Sequence, residues 1–255
     1  MRIRVLGCSG GIGAGLHTTG FLIQERVLLD AGTGVGRLPL AELARIAHVF
    51  LSHAHLDHIA ALPLLLDTRF GQVREPLTVW GPAAVLEDLR RHVFNWRIWP
   101  DFAALPDRRA PALRYRPIER DETVEPEPGL RLTALPAAHT VPACGYLVEG
   151  EGRRLAYSGD SGANPAFWRR LDALDRLDAL IIECAFPQAQ AGLAARAGHH
   201  CPASLAADLA RLRHRPRIWL THLKPGEEAT ILAECRGALA GRRWRALRDG
   251  ETLRL

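Results

Sequence analysis

Short runs rich in Val, Ile and Leu recur from one end of this chain to the other, and most are separated by segments with helical spacing. The apolar runs, bounded by Gly, Pro or polar clusters, predict strands at Ile3–Leu6, Gly20–Gln24, Val27–Asp30, His48–Ser52, Leu77–Trp80 and Leu130–Leu135. Further strands are predicted at Gly145–Val148, Arg154–Ser158, Ala179–Glu183, Arg217–Thr221 and Trp244–Leu247. Apolar residues spaced i, i+3, i+4 predict helices over Leu40–Ile46, Ile59–Thr68, Ala83–Val93, Pro165–Leu174, Ala203–Arg213 and Glu228–Ala240. Pro202 stands where a first-turn proline preorganises a helix start. Strands alternating with helices predict an α/β protein. The early strands have no helix between them, which predicts antiparallel hairpins. The Pro-rich stretch at about 95–128 breaks the pattern and predicts an excursion over the surface, so residues 1–255 read as a single domain.

Composition narrows the class. With 255 residues, 47% hydrophobic and 24% charged, the chain is an ordinary globule. Its longest apolar runs, such as Ala60–Leu66, are far too short to span a bilayer, so no membrane association is expected. The start, Met1-Arg2-Ile3-Arg4-Val5-Leu6, alternates as a strand does and is not a signal peptide. Five scattered cysteines, Cys8, Cys144, Cys184, Cys201 and Cys235, read as buried thiols in a reducing, cytoplasmic setting. The net charge of +5 favours anionic substrates only mildly, because the arginines are spread along the chain. Lys224 is the only lysine.

The chemistry concentrates where one strand gives way to a loop. After Val49-Phe50-Leu51-Ser52 comes His53-Ala54-His55-Leu56-Asp57-His58, three imidazoles and a carboxylate in six positions. These donors suit zinc, iron or manganese. His53 and His55, spaced i, i+2, can reach one ion from an extended segment, and Asp57-His58, turning into a helix, can reach a second. His139, Asp160 and His222 each follow a predicted strand as well. The set supplies His53, His55 and His139 to one ion and Asp57, His58 and His222 to the other. Asp160 is shared, and each ion keeps the open position that catalysis needs. Gly7, Gly10, Gly11, Gly13 and Gly15 lack the following helix and acidic partner of a dinucleotide fingerprint, and read instead as a flexible loop bordering the metals.

In order and type, these motifs resemble the metallo-β-lactamase superfamily along nearly the whole chain. Val27-Leu28-Leu29-Asp30-Ala31-Gly32 looks like its early strand-plus-acid motif, in which Asp30 supports the metal loop without binding metal. The resemblance implies an αββα four-layer sandwich, two mixed sheets flanked by helices. It also implies two divalent ions; donor type favours Zn2+, and Mn2+ or Fe2+ fit the same geometry. Asp160 stands where β-lactamases usually carry Cys, and the Glu-containing pattern of the diiron oxidoreductases is missing. Phosphodiesterases, tRNase Z-type nucleases and glyoxalase-type thioesterases share the full His/Asp set.

Four stretches discriminate further: Ile182-Glu183-Cys184-Ala185-Phe186-Pro187, Gly198-His199, Thr221-His222-Leu223-Lys224-Pro225 and Phe94-Asn95-Trp96-Arg97-Ile98-Trp99-Pro100. Together they resemble class II 3′,5′-cyclic-nucleotide phosphodiesterases. Ala61, where that family more often has Gly or Ser, and His200-Cys201 depart from its pattern. The resemblance implies hydrolysis of cAMP or cGMP to 5′-monophosphates by a metal-bridging hydroxide, with Asp57 orienting the nucleophile. His199 would protonate the leaving oxygen or bind phosphate, Glu183 would orient His199, and Lys224 would meet a phosphate oxygen or remain a solvated lysine. Trp96 and Trp99 would stack on a purine or serve as core or dimer contacts. The expected partner is a small cyclic nucleotide, and the family implies a homodimer. The alternative is a tRNase Z-like nuclease acting on RNA or DNA, which calls for a basic arm; the short Gln188–Ala197 interval offers none. A thioesterase or lactonase leaves Lys224-Pro225 and the Trp-rich segment unexplained, and a non-catalytic binding module does not account for an intact ligand set.

Overall fold

The computed structural model describes residues 1–255. In chain order, β1 (Arg2–Gly7), β2 (Gly20–Ile23), β3 (Val27–Leu29), β4 (His48–Phe50), β5 (Leu77–Gly81) and β6 (Leu113–Pro117) form one sheet. A second sheet holds β7 (Thr123–Glu127), β8 (Leu130–Pro136), β9 (Cys144–Gly150), β10 (Arg153–Tyr157), β11 (Ala179–Glu183), β12 (Arg217–Thr221) and β13 (Trp244–Ala246). The last strand, β14 (Thr252–Arg254), returns to the first sheet and pairs antiparallel with β1. Both sheets are mixed. β1, β2 and β3 pair antiparallel as expected, and β3 to β6 run parallel. β7 to β10 are antiparallel neighbours, and β10 to β13 are parallel.

Alternation along the strands builds three cores. Phe21, Ile23, Val27, Leu29 and Phe50 point between the sheets, where they meet Leu132, Tyr146, Val148, Leu155 and Trp219 of the second sheet. Their chain neighbours Leu22, Leu28, Val49 and Leu51 point outward and are covered by helices α1 (Leu40–Leu43), α3 (Leu62–Arg69) and α4 (Ala83–Asp88). A short helix, α2 (Leu56–Ile59), precedes α3. On the far side, Leu147, Ala156, Leu180, Ile182 and Leu220 pack under α5 (Pro165–Asp172), α7 (Pro202–Leu209) and α8 (Glu228–Ala238). Strands covered on both faces need apolar residues at every position, which is why β3 and β11 read as unbroken apolar runs. Helix starts are locally encoded. Asn164 caps α5 by accepting from the Phe167 amide at 3.3 Å, and Ser204 in the first turn of α7 accepts from the Cys201 amide at 3.0 Å.

Several expectations are corrected. The helix expected over Ile59–Thr68 is two helices, because Pro63 is compatible only with a first turn and so starts α3 afresh after α2. The helix expected over Ala83–Val93 ends in a widened π-turn at Leu89–Val93. The stretch at 95–128 is not wholly an excursion, since it contributes β6 and β7, one to each sheet. These are edge strands, and edge positions tolerate the charges and prolines of Leu-Arg-Tyr-Arg-Pro and Thr-Val-Glu-Pro-Glu, which mask the alternation. The Gln188–Ala197 interval carries a further helix, α6 (Ala191–Ala197). No helix is long and apolar enough to cross a membrane. All five cysteines are free thiols, four of them buried and Cys8 partly so.

Candidate functional site

β8, β10, β11 and β12 share one direction in the second sheet, and their C-terminal ends meet the end of β4 from the first sheet along one rim. Each of these ends delivers one or more of the expected side chains, because a strand end fixes a position while the following loop frees the side chain to turn inward. His53 and His55 follow β4, Asp57 and His58 open α2, His139 follows β8, Asp160 follows β10, Glu183 closes β11 and His222 follows β12.

All seven expected ligands come together. His55 Nδ1 lies 3.1 Å from His53 Nε2 and 3.2 Å from His139 Nε2. Asp160 Oδ2 lies 3.1 Å from His222 Nε2, 3.3 Å from His58 Nε2 and 3.6 Å from His53 Nε2, so it faces both groups. Asp57 Oδ2 stands 3.1 Å from His222 Nε2. Donor atoms sharing a tetrahedral ion at zinc–nitrogen distance are about 3.3 Å apart. His58 Nε2 is fully buried and has no hydrogen-bond partner, and it faces Asp160 Oδ2 at 3.3 Å. An orphaned buried nitrogen aimed into a ring of donors fits a metal ligand and little else. The donor set therefore fits divalent ions, with one group at His53, His55 and His139 and another at Asp57, His58, Asp160 and His222.

Electrostatics agree with this division. Burial pushes the imidazoles of His53, His55 and His139 below the ordinary histidine range, which keeps them neutral with lone pairs to offer. Burial acts the same way on His58 and His222, but carboxylates outweigh it there. Asp160 and Asp30 hold His58 well above its ordinary range, and Asp160 with Asp57 raises His222 to about 9. Burial would raise Asp160 and Asp57, yet His222 and His58 hold both below the usual carboxylate range. This half of the site favours positive charge, which protons or a metal cation can supply.

Supporting groups fix the orientation of these donor side chains. His58 Nδ1 donates to Asp30 Oδ2 at 2.8 Å, leaving Nε2 as the lone-pair nitrogen. Asp30 also accepts from the Ser52 amide, the Ser52 hydroxyl and the Tyr157 hydroxyl. His139 Nδ1 donates to the Gly198 carbonyl at 3.0 Å. Fully buried Glu183 accepts from His199 Nδ1 at 2.9 Å and from the amides of Ser161, Ala185 and His200. The His199 ring stacks on His222 with centroids 5.1 Å apart and meets His139 edge-on at 5.0 Å. His200 turns away, with Nδ1 3.1 Å from the Ser204 hydroxyl. Lys224 does not reach the ligand groups directly, since its Nζ donates to the Gly10 carbonyl at 2.9 Å.

The glycine-rich segment is anchored, which its composition does not reveal. Asp249 accepts from the amides of Cys8 and His17 at 3.0 Å each, and from His17 Nδ1 at 2.8 Å. The turn residues Asp249-Gly250 near the C-terminus were the only signal for this anchor. Gly10 presses on His222, for a Cβ there would stand 2.6 Å from the His222 carbonyl and 2.8 Å from its Nδ1. His222 is itself held at φ 63, a strained conformation for a residue with a side chain. Gly10→Ala is therefore expected to displace His222 and weaken the second ion by roughly ten-fold or more, the scale on which ligand-supporting contacts act. Metal content per chain after dialysis should fall from two toward one with circular dichroism unchanged; two retained ions would refute the contact's importance.

Two clefts adjoin the site. One of about 600 Å³ opens beside His55 between α2, α3 and the Trp99 segment. The other, about 630 Å³, lies beyond His139 and His199 under α6. Trp99 lines the first cleft, whereas Trp96 is 62% exposed.

Comparison with known proteins agrees with this architecture. The ribonuclease Z of Natronomonas pharaonis is 28% identical over 304 aligned positions, covering 99% of this chain and 97% of that protein. A 3′,5′-cyclic-nucleotide phosphodiesterase of Aliivibrio fischeri is 29% identical over 196 positions, covering 62% of this chain and 56% of its own length. Among solved structures, unliganded yeast PDE1 superposes with a TM-score of 0.82 at 17% identity, covering 100% of this chain and 99% of that one. The metallo-beta-lactamase fold protein YhfI from Bacillus subtilis does so with a TM-score of 0.78 at 22% identity, covering 99% and 98%. These likenesses establish the fold, and residues 25–223 match the family described as the beta-lactamase superfamily domain. From its strand order to its His/Asp rim, this chain belongs to the beta-lactamase superfamily and has the metallo-β-lactamase fold.

Proposed function

We propose that the protein is a metal-dependent phosphodiesterase that hydrolyses 3′,5′-cyclic nucleotides to 5′-monophosphates, with zinc as the resident metal. The observation that carries the reading is the cleft beside His55. It has room for one nucleoside, its walls are mostly apolar, and it has no lysine or arginine among its lining residues. A base can be buried there while the phosphate reaches the donors, whereas a polynucleotide needs cationic side chains along its backbone. The A. fischeri phosphodiesterase is in keeping with this choice.

When bound, two divalent ions supply a nucleophile at neutral pH and neutralise charge on the phosphoryl oxygens. The chain's residues do the rest. Asp57, partly exposed at the mouth of the site, accepts a hydrogen bond from the attacking oxygen and aims it at phosphorus. As that oxygen–phosphorus bond forms, the bond from phosphorus to the ribose 3′ oxygen breaks. His199, held through Nδ1 by Glu183, delivers a proton to the departing oxygen from its other nitrogen. Lys224 holds the Gly10 carbonyl, and with it the loop that backs His222.

A second reading, a tRNase Z-like nuclease, is favoured by the end-to-end match with the N. pharaonis ribonuclease Z. A panel on zinc-loaded protein separates the two: 3′,5′-cyclic AMP and GMP, 2′,3′-cyclic nucleotides, bis(p-nitrophenyl) phosphate and a precursor tRNA. The expected result is turnover of the 3′,5′-cyclic nucleotides to 5′-monophosphates. Cleavage of the precursor tRNA with neither cyclic nucleotide consumed would replace the first reading by the second.

A further inference from the structure

The cleft beside His55 is apolar along Leu56, Ile59, Val93 and Trp99, but one wall carries two polar side chains the metal chemistry does not use. Asp88 is the last residue of α4, and His92 follows it by four positions in the π-turn, so both project from one face into the cleft. The neighbouring Glu87 is near Arg90. Asp88 itself has no ion pair and no hydrogen bond, although arginines flank it on the same turn. A carboxylate is an acceptor-only group. Placed on an apolar wall without a donor, it is set to receive N–H groups from whatever fills the cleft.

We propose that Asp88 reads the base of the substrate and selects guanine, an inference that rests on the nucleotide reading of this site. Guanine presents two adjacent donors, N1–H and the N2 amino group, which match the two oxygens of one carboxylate. Adenine presents one donor beside the N1 lone pair, so it gains one hydrogen bond and sets a lone pair against the other carboxylate oxygen. Cytosine has the same mismatch, and uracil offers a single N–H between two carbonyls. His92 adds a ring N–H donor for the O6 acceptor of guanine, where adenine places its own amino donor. The substrate preferred within the class is the guanine nucleotide.

The test is calorimetric binding of GMP and AMP to the zinc-loaded protein, alongside Asp88→Asn and Asp88→Ala. GMP is expected to bind roughly ten-fold or more tighter than AMP, the scale of a bidentate base contact. Asp88→Asn offers one acceptor and one donor, which suit adenine, so the preference should vanish or invert. Asp88→Ala should abolish it without inversion. Turnover of bis(p-nitrophenyl) phosphate, which has no base, should be unchanged in both variants and reports that the site is intact. Equal binding of GMP and AMP by the native protein, no binding of either, or a GMP preference that survives Asp88→Asn overturns the proposal. A GMP preference lost in Asp88→Asn, in a protein that turns over bis(p-nitrophenyl) phosphate but no cyclic nucleotide, removes the cyclic-nucleotide reading and leaves the role of Asp88 standing.

Discussion

Asp160→Asn is expected to lower phosphodiester turnover by at least about 10³-fold and to take bound metal below one ion per chain. Asp160 offers one carboxylate oxygen to both donor groups: its Oδ2 is 3.6 Å from His53, 3.3 Å from His58 and 3.1 Å from His222. The amide has the same shape but lacks the charge, and one of its two terminal atoms becomes a donor pointed at nitrogens that must keep their lone pairs. Stability should fall in the metal-free protein as well. His58 and His222 are buried, and Asp160 is the largest favourable influence on the charge of each. Removing one partner of a buried charged cluster costs about 3 kcal/mol, or roughly 6–12 °C in Tm for a chain of this size. Elemental analysis and thermal melts of the metal-stripped protein check the two halves separately. Native metal content in the variant would mean that the two groups do not share a ligand.

What could be read from the chain follows from where physical constraints are local. His53 to His58 stood out because so many donors in one strand-to-loop segment serve no packing purpose, and the strands before His139, Asp160 and His222 were visible because each contains a buried apolar stretch, Ala134-Leu135, Leu155-Ala156-Tyr157 and Ile218-Trp219-Leu220. β11 and β12 were legible to the residue for that reason. Edge strands were not. β6 and β7 face solvent along one side, so their sequences carry charge and proline where a central strand cannot. The glycine segment hid its anchor because Asp249 lies 232 positions from His17, and no local pattern encodes a hydrogen bond of that span. The polar pair in the cleft was hidden too. In the sequence Asp88 and His92 are simply two polar positions four apart within a predicted helix, and only the packing of α2 and the Trp99 segment opposite gives them a cleft to line.

Asp30 should separate folding from metal binding. Asp30→Ala is expected to destabilise the protein by about 3–5 kcal/mol, on the order of 10 °C in Tm, although Asp30 is not placed to touch an ion. The carboxylate has no solvent exposure and accepts four hydrogen bonds. They come from the Ser52 amide at 2.7 Å, the Ser52 hydroxyl at 2.8 Å, the Tyr157 hydroxyl at 2.6 Å and His58 Nδ1 at 2.8 Å. These partners join the end of β3 to the metal loop and, through Tyr157, to β10 of the other sheet, so alanine strands four buried donors where the two sheets meet. Asp30 also holds a left-handed backbone at φ 54, which an aspartate tolerates better than alanine does. Asp30→Asn divides the two effects. With its oxygen in the Oδ1 position the amide still accepts from the Ser52 amide, and the Ser52 and Tyr157 hydroxyls, which meet Oδ2 in the native protein, can turn to accept from its NH2, so part of the stability should remain. Without the carboxylate's charge, however, His58 loses the partner that fixes its tautomer, and metal affinity should fall about 10- to 100-fold. Thermal melts of the metal-stripped proteins and competitive zinc titrations measure these quantities independently. If Asp30→Asn keeps full affinity, His58 is oriented by packing alone; if Asp30→Ala melts with the native protein, the junction between the sheets does not depend on this carboxylate.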